Sequence, residues 1–201
     1  MNQQPARTIF NTPILSGIFY VLARLFMRLF GWRVDGRLPD LPKFVLIGAP
    51  HTSNWDFVLF LGVIFTLRAN VKFMGKAELF RSPFGWFFYY CGGVPVDRKK
   101  STWLVEQMVE ACSKSDRFIL TIAPEGTRHH VTEWKRGFYH IATGAGVPIV
   151  LAKVDGKHKT VNIGQIFHPT QDIEADMKAI TGVFEGVAGI NPRRKYITLK
   201  S

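Results

Sequence analysis

Between Pro42 and Pro50 the chain runs KFVLIG (43–48) with hardly a polar position, and so short an unbroken apolar run predicts a strand buried on both faces. Apolar positions then dominate 54–67, which predicts a helix whose core, FVLFLGVIFTL, is too short to cross a bilayer. VKFM (71–74) predicts a strand, STWLVEQMVEACSKS (101–115) a helix capped by Ser101 or Thr102, and RFILTI (117–122) another buried strand. EWKRGFYHIATGAG (133–146) predicts a helix closed by Gly144 and Gly146, followed by strands at VPIVLAKV (147–154) and TVNIGQIF (160–167). A last helix is predicted over 171–189, capped by Gln171 or Asp172 and ended near Gly189 and Pro192. Strands alternating with helices predict a single α/β domain with a mostly parallel central sheet flanked by helices. In such sheets the functional loops lie beyond the carboxyl ends of the strands.

The N-terminal stretch TIFNTPILSGIFYVLARLFMRLFGW (8–32) has a different pattern. It carries no charge from Thr8 to Ala23, is interrupted by Pro13, and meets Arg24 and Arg28 before a span would be complete. Wound as a helix, Ser16, Tyr20, Arg24 and Arg28 share one narrow stripe, and Ile14, Leu15, Ile18, Phe19, Leu22, Leu25, Phe26 and Leu29 cover the rest. Such a helix suits the membrane interface, with Trp32 anchoring its end; a helix packed on its own domain is the alternative. No small-residue cleavage site precedes the domain, which disfavours a cleaved signal peptide. The expected division is an amphipathic, membrane-associated segment over 1–34 and a catalytic domain over 35–201.

Composition narrows the partner. Lys and Arg outnumber Asp and Glu by 26 to 15, a net charge of +11, so the partner is expected to be anionic. The basic residues come in short runs and the aromatics sit in apolar stretches, so no nucleic-acid partner is expected. Cys91 and Cys112 have no metal-ligand spacing, so neither a disulfide framework nor a zinc site is expected, and a reducing compartment fits.

Against this background PHTSNWD (50–56) stands out, with His51 just after the first strand and Asp56 in the first turn of the following helix. On one continuous helix the two side chains would be roughly 140° apart, so they can meet only if His51 lies on the loop. Pro50 blocks continuation of the strand, and Thr52, Ser53 and Asn54 are all good caps. A carboxylate on one ring nitrogen leaves the other free to accept a proton, which makes a general base. No G-x-S-x-G elbow supplies a nucleophile, so the base would have to activate one that arrives with a substrate. Taken alone, the spacing fits a structural histidine equally well.

Two further loops carry suitable chemistry. CGGVPVDRKK (91–100) has glycines that permit close backbone approach, followed by Asp97, Arg98, Lys99 and Lys100. APEGTRHH (123–130) places Glu125 and Arg128 around a turn at Gly126, and arginine forks suit phosphate. Either loop alone reads equally as a solvated turn.

In this order and spacing the blocks resemble the glycerolipid and lysophospholipid acyltransferase family, of the 1-acylglycerol-3-phosphate acyltransferase type: HTSNWD for its H-x-x-x-x-D block, then GGVPVDR, PEGTR and VPIV. The resemblance implies that His51 takes the proton of an acceptor hydroxyl as it attacks an acyl thioester, of coenzyme A or acyl-carrier protein, while Asp56 holds the ring. It implies that Arg98 and Arg128 grip the phosphate of a lysophospholipid or glycerol-phosphate acceptor, and that Glu125, Gly126 and Thr127 form the acceptor loop with Glu125 close to the acceptor. It implies that Pro148 belongs to the strand backing the site. Residues 57–67 and 82–93 would line a dry acyl groove. No metal or redox cofactor is implied, only the thioester co-substrate, and the expected location is the cytoplasmic face of an anionic phospholipid membrane, peripheral or monotopic. The chain departs from many members at Pro50, where they have Asn, and at His129 and His130, where they have Ser after the PEGTR block. The competing readings are a non-catalytic peripheral membrane-binding protein and a thioesterase.

Overall fold

The computed structural model describes residues 8–96, 101–129 and 131–191. Its centre is a seven-stranded sheet in the order β1-β7-β6-β2-β5-β3-β4, with β1 (Arg33–Gly36), β2 (Lys43–Ala49), β3 (Lys72–Lys76), β4 (Gly93–Val96), β5 (Phe118–Ile122), β6 (Ile149–Asp155) and β7 (Thr160–Phe167). The run from β6 to β4 is parallel; β7 turns back antiparallel to β6, and β1 pairs parallel with β7. The mostly parallel α/β architecture expected from the sequence is therefore the one observed.

Alternation along β2 explains the layers, because successive side chains leave opposite faces of a strand. Val45, Ile47 and Ala49 enter a core with Phe118, Leu120, Ile149 and Leu151, where Phe138 and Ile141 of α6 (Gly137–Ala145) and Ile180 of α7 (Ile173–Gly182) pack; Met108 of α5 (Ser101–Ser113) joins them. Phe44 and Leu46 face the other core, with Leu59, Val63 and Ile64 of α2 (Trp55–Thr66) and Met27 of α1 (Pro13–Leu29). The short helices α3 (Ala77–Arg81) and α4 (Gly85–Tyr90) lie on the α2 side, since a Cβ at Gly75 would strike Phe80, and Gly75 shares a strand face with Phe73, whose ring meets Phe57 and Phe60.

Several expectations are corrected. The predicted helix over 133–146 starts only at Gly137, because Trp134 is buried against Phe138 and Phe184 and Lys135 N donates to Pro124 O. The helix predicted over 171–189 stops at Gly182, where successive tight turns (Val183 N to Ile180 O, Phe184 N to Thr181 O) bring Phe184 into the core. Asp172 is its cap, accepting from Ala175 N, and Gln171 is not. The side chains of Ser101 and Thr102, the expected caps of α5, lie outside the described residues.

α1 packs on α2 through one face only. Ala23 and Met27 are buried, Phe19 stacks on Phe65, and Phe26 and Met27 sit where Gly62 leaves room. Tyr20, expected on the polar stripe, leans inward: Arg68 lies 4.3 Å over its ring and Arg24 donates to its hydroxyl at 2.8 Å. Trp32, expected to anchor the end of the helix, is partly buried against the α2-side core. The remaining face is exposed and apolar, with Ile14, Ile18, Val21, Leu22, Leu25, Leu29 and Phe30. Among the described residues no helix is long and apolar enough to cross a membrane. β4 closes one margin of the sheet, and its Pro95 has no backbone N–H to offer beyond it.

Candidate active site

The site assembles at the carboxyl edge of the parallel strands, where β2 and its neighbour β5 deliver their loops side by side. β2 ends at Ala49; after the cis Ala49–Pro50 peptide, His51 lies on the loop and Asp56 in the first turn of α2. The loop lets the two side chains meet, with His51 Nδ1 3.0 Å from Asp56 Oδ2. The same oxygen accepts the backbone N–H groups of Thr52 (2.7 Å) and Ser53 (2.6 Å), so one carboxylate both orients the imidazole and ties down the loop that carries it. With Nδ1 held this way, Nε2 is the ring nitrogen left for a substrate proton. The His51 side chain is 30% exposed and that of Asp56 10%, so the imidazole meets solvent while the carboxylate is sheltered.

Of the expected caps, Ser53 Oγ accepts from Trp55 N at 3.2 Å, and Asn54, at the N-cap, makes no side-chain cap bond. Thr52 is buried and uses its hydroxyl elsewhere: Oγ1 accepts from Asn191 N at 3.0 Å. Neither the Asn191 contact nor the close approach of Gly189, two residues earlier, is legible in the sequence. Gly189 read as a helix stop, and sequence spacing carries no signal for a contact 139 residues away.

From the loop after β5, Glu125 Oε1 accepts the His51 N–H at 2.9 Å. Glu125 is only 6% exposed, and its carboxyl holds the backbone of the His51 loop. Gly126 makes the turn at φ 62°, with its N–H donating to Ala123 O at 3.1 Å, and a Cβ there would strike the Lys135 side chain. Thr127 Oγ1 accepts from His129 N at 3.3 Å, and Arg128 and His129 are exposed on the same loop. Arg98, Asp97, Lys99, Lys100 and His130 lie outside the described residues. Pro148 directly precedes β6, the strand beside β2, and its carbonyl accepts from Val45 N toward the end of β2 remote from His51.

Beside Asp56 begins an aromatic cluster. The Phe57 ring lies 5.3 Å from Phe73, 5.6 Å from Phe88 and 6.1 Å from Phe60, so the two stretches expected to supply apolar lining do meet next to the His51–Asp56 pair. Trp55, Phe84 and Trp86 are exposed around it. Among the described residues no group of three or more His, Cys, Asp or Glu side chains could hold a metal ion. Cys91 is buried, which pushes its thiol up to about 12.

Burial pushes the Glu125 carboxyl from its ordinary 4.5 up to about 7, only partly offset by the His51 N–H and the nearby imidazole, with Asp56 adding a further push upward. Between those values the native chain holds a proton that the unfolded chain releases, so stability falls as pH rises through the window and is fully reduced above it, on the order of 3 kcal/mol. Thermal melts of Glu125→Gln should therefore lose less stability than the parent between about pH 5 and about pH 8. An unchanged pH slope in the variant would show that Glu125 does not titrate there.

The acyltransferase family model, described as "Acyltransferase", matches residues 34–152, which contain both loops and the His51–Asp56 pair. The chain belongs to this acyltransferase family. Curated relatives named 1-acyl-sn-glycerol-3-phosphate acyltransferase include the Haemophilus influenzae protein, 28% identical over 72% of this chain and 64% of its own length. The Streptococcus pneumoniae protein of that name is 31% identical over 66% of this chain and 53% of its own, and the Escherichia coli protein 29% identical over 69% and 59%. This acyltransferase chain thus spans between about half and two thirds of the length of those relatives. The fold is shared with the crystal structure of the Thermotoga maritima 1-acyl-sn-glycerophosphate (LPA) acyltransferase, PlsC, at a TM-score of 0.59 and 20% identity over 85% of this chain and 77% of that one.

Proposed function

We propose that the chain transfers a fatty acyl group from an acyl thioester, of coenzyme A or acyl-carrier protein, to the hydroxyl of a lysophospholipid or glycerol-phosphate acceptor. The observation that carries this reading is the His51 Nδ1–Asp56 Oδ2 contact at 3.0 Å on a half-exposed loop. His51 Nε2 takes the acceptor's hydroxyl proton while its oxygen bonds to the thioester carbonyl carbon. Asp56 stabilises the imidazolium so formed. The tetrahedral species then collapses, the C–S bond breaks, and the imidazolium returns the proton to the departing thiolate, so the enzyme carries no acyl group at any stage.

Arg128, exposed on the loop next to His51, supports a phosphate grip. The aromatic cluster at Phe57 and Phe88 supports an acyl groove running from the catalytic pair. The exposed apolar face of α1 and the +11 charge support a peripheral or monotopic seat on an anionic membrane, with residues 1–34 as the associating segment and the cytoplasmic face as its side. The test is purified protein in detergent with labelled acyl thioester and a panel of lysolipids and glycerol phosphates. Free thiol and acylated lipid should appear in equal amounts and only with an acceptor present. Thiol release without an acceptor would make it a thioesterase, and no release from any donor would leave only membrane binding.

A further inference from the structure

The catalytic loop is tied on its far side by a part of the chain that the family match, ending at residue 152, does not include. After α7 the segment 183–191 folds back across the carboxyl edge of β6. Its Ala188 carbonyl accepts the N–H of Gly156, at the turn leaving β6, and the backbones pack so closely there that a Cβ on Gly156 would strike Gly189 O. Gly189 in turn lies against Thr52: a Cβ added to it would meet the Thr52 Oγ1 and Cγ2 atoms at 2.5 Å. Asn191 N then donates to Thr52 Oγ1 at 3.0 Å.

Thr52 is buried, and its own N–H donates to the Asp56 oxygen that holds His51. One residue therefore joins the segment to the catalytic pair: hydroxyl to Asn191, backbone to Asp56. We infer that the segment 188–191 is a clasp for the catalytic loop, with Thr52 as the positioning residue through which it fixes His51 and Asp56. The clasp approaches from the β6 side and Glu125 from the β5 side, so the loop is held between its two neighbours in the sheet. Without the clasp, the imidazole would sample orientations other than the reactive one, and misplacement costs rate more than it costs substrate binding.

Two variants test this in the full chain. Thr52→Val keeps the shape of the side chain and removes the oxygen that accepts from Asn191; Gly189→Val drives a side chain into Thr52. Each should lower kcat roughly tenfold with KM for donor and acceptor within about twofold, and Thr52→Ser should restore kcat. Amide hydrogen exchange of a peptide covering 49–57 should quicken in both variants and return to the parent rate in Thr52→Ser. The kinetic half rests on the proposed acyl transfer, whereas the exchange half does not. If the parent transfers no acyl group yet exchange quickens in the variants, the clasp stands and the assigned reaction falls. Unchanged exchange, or kcat within twofold of the parent in folded Thr52→Val, would overturn the clasp. Should Thr52→Val fail to fold, Gly189→Ala, read by the same two measurements, decides.

Discussion

His51→Ala is expected to lower kcat/KM for acyl transfer by about 10³-fold, within the range ascribed to a positioned general base. The structure says why this loss should be chemical and not structural. The link from residue 51 to Glu125 runs through its backbone N–H, which alanine retains, and Asp56 keeps its bonds from Thr52 and Ser53 when the imidazole is gone. A half-exposed ring leaves no sealed cavity behind, so the stability change should stay below about 1 kcal/mol. Initial rates with labelled thioester, read beside a thermal melt, check both halves. Turnover within tenfold of the parent in the folded variant would remove His51 from the chemistry.

Asp56 allows charge to be separated from geometry. All three of its contacts converge on Oδ2, while Oδ1 is buried with no hydrogen-bond partner. In Asp56→Asn the amide oxygen can occupy the Oδ2 position and keep the two backbone N–H bonds and the ring contact. Its NH₂ group then falls in the unpartnered Oδ1 position, at roughly 1 kcal/mol. What it lacks is the negative charge that stabilises the imidazolium, so kcat should drop by about 10²-fold or more with only modest destabilisation. Asp56→Ala removes the loop's anchor as well and should cost about 3 kcal/mol of stability, from two charge-assisted backbone bonds at ~1.5 kcal/mol each. Equal melting temperatures for the two variants would show that the carboxylate does not hold the loop; undiminished kcat in Asp56→Asn would show that its charge is not used.

The parts of the fold legible in the sequence are those where burial dictates composition. KFVLIG, RFILTI and VPIVLAKV had to be apolar because their strands lie at the middle of the sheet, with helices on both faces. β1 (RVDG) carries no strand signal in the sequence and GVPV of β4 reads as part of a loop, because marginal strands are paired on one side only and four residues leave no pattern to read. α3 and α4, at five and six residues, are likewise too short for helical periodicity. The predicted extensions of α6 and α7 failed where an aromatic pair, Trp134 and Phe184, draws two non-helical segments into the core.

At the site, the five-residue spacing and the strand before it set the condition that the two side chains meet only if His51 lies on a loop, and the structure meets that condition. The destination of Glu125 was not legible, because it depends on β5 lying beside β2, a fact of strand order that no local pattern encodes. Thr52 looked like a helix cap, and only the returning chain reveals where its hydroxyl goes.

The sheet's two margins bear on how copies of this chain meet. β1 and β4 are each four residues long, and Pro95 withholds a donor from the outer side of β4, so neither margin is a good template for a foreign strand. Amyloid-like stacking through the sheet is thereby discouraged. Association of copies in water is expected to run through the exposed apolar flank of α1 and to leave the strands in their native pairing, so mild surfactant should reverse it.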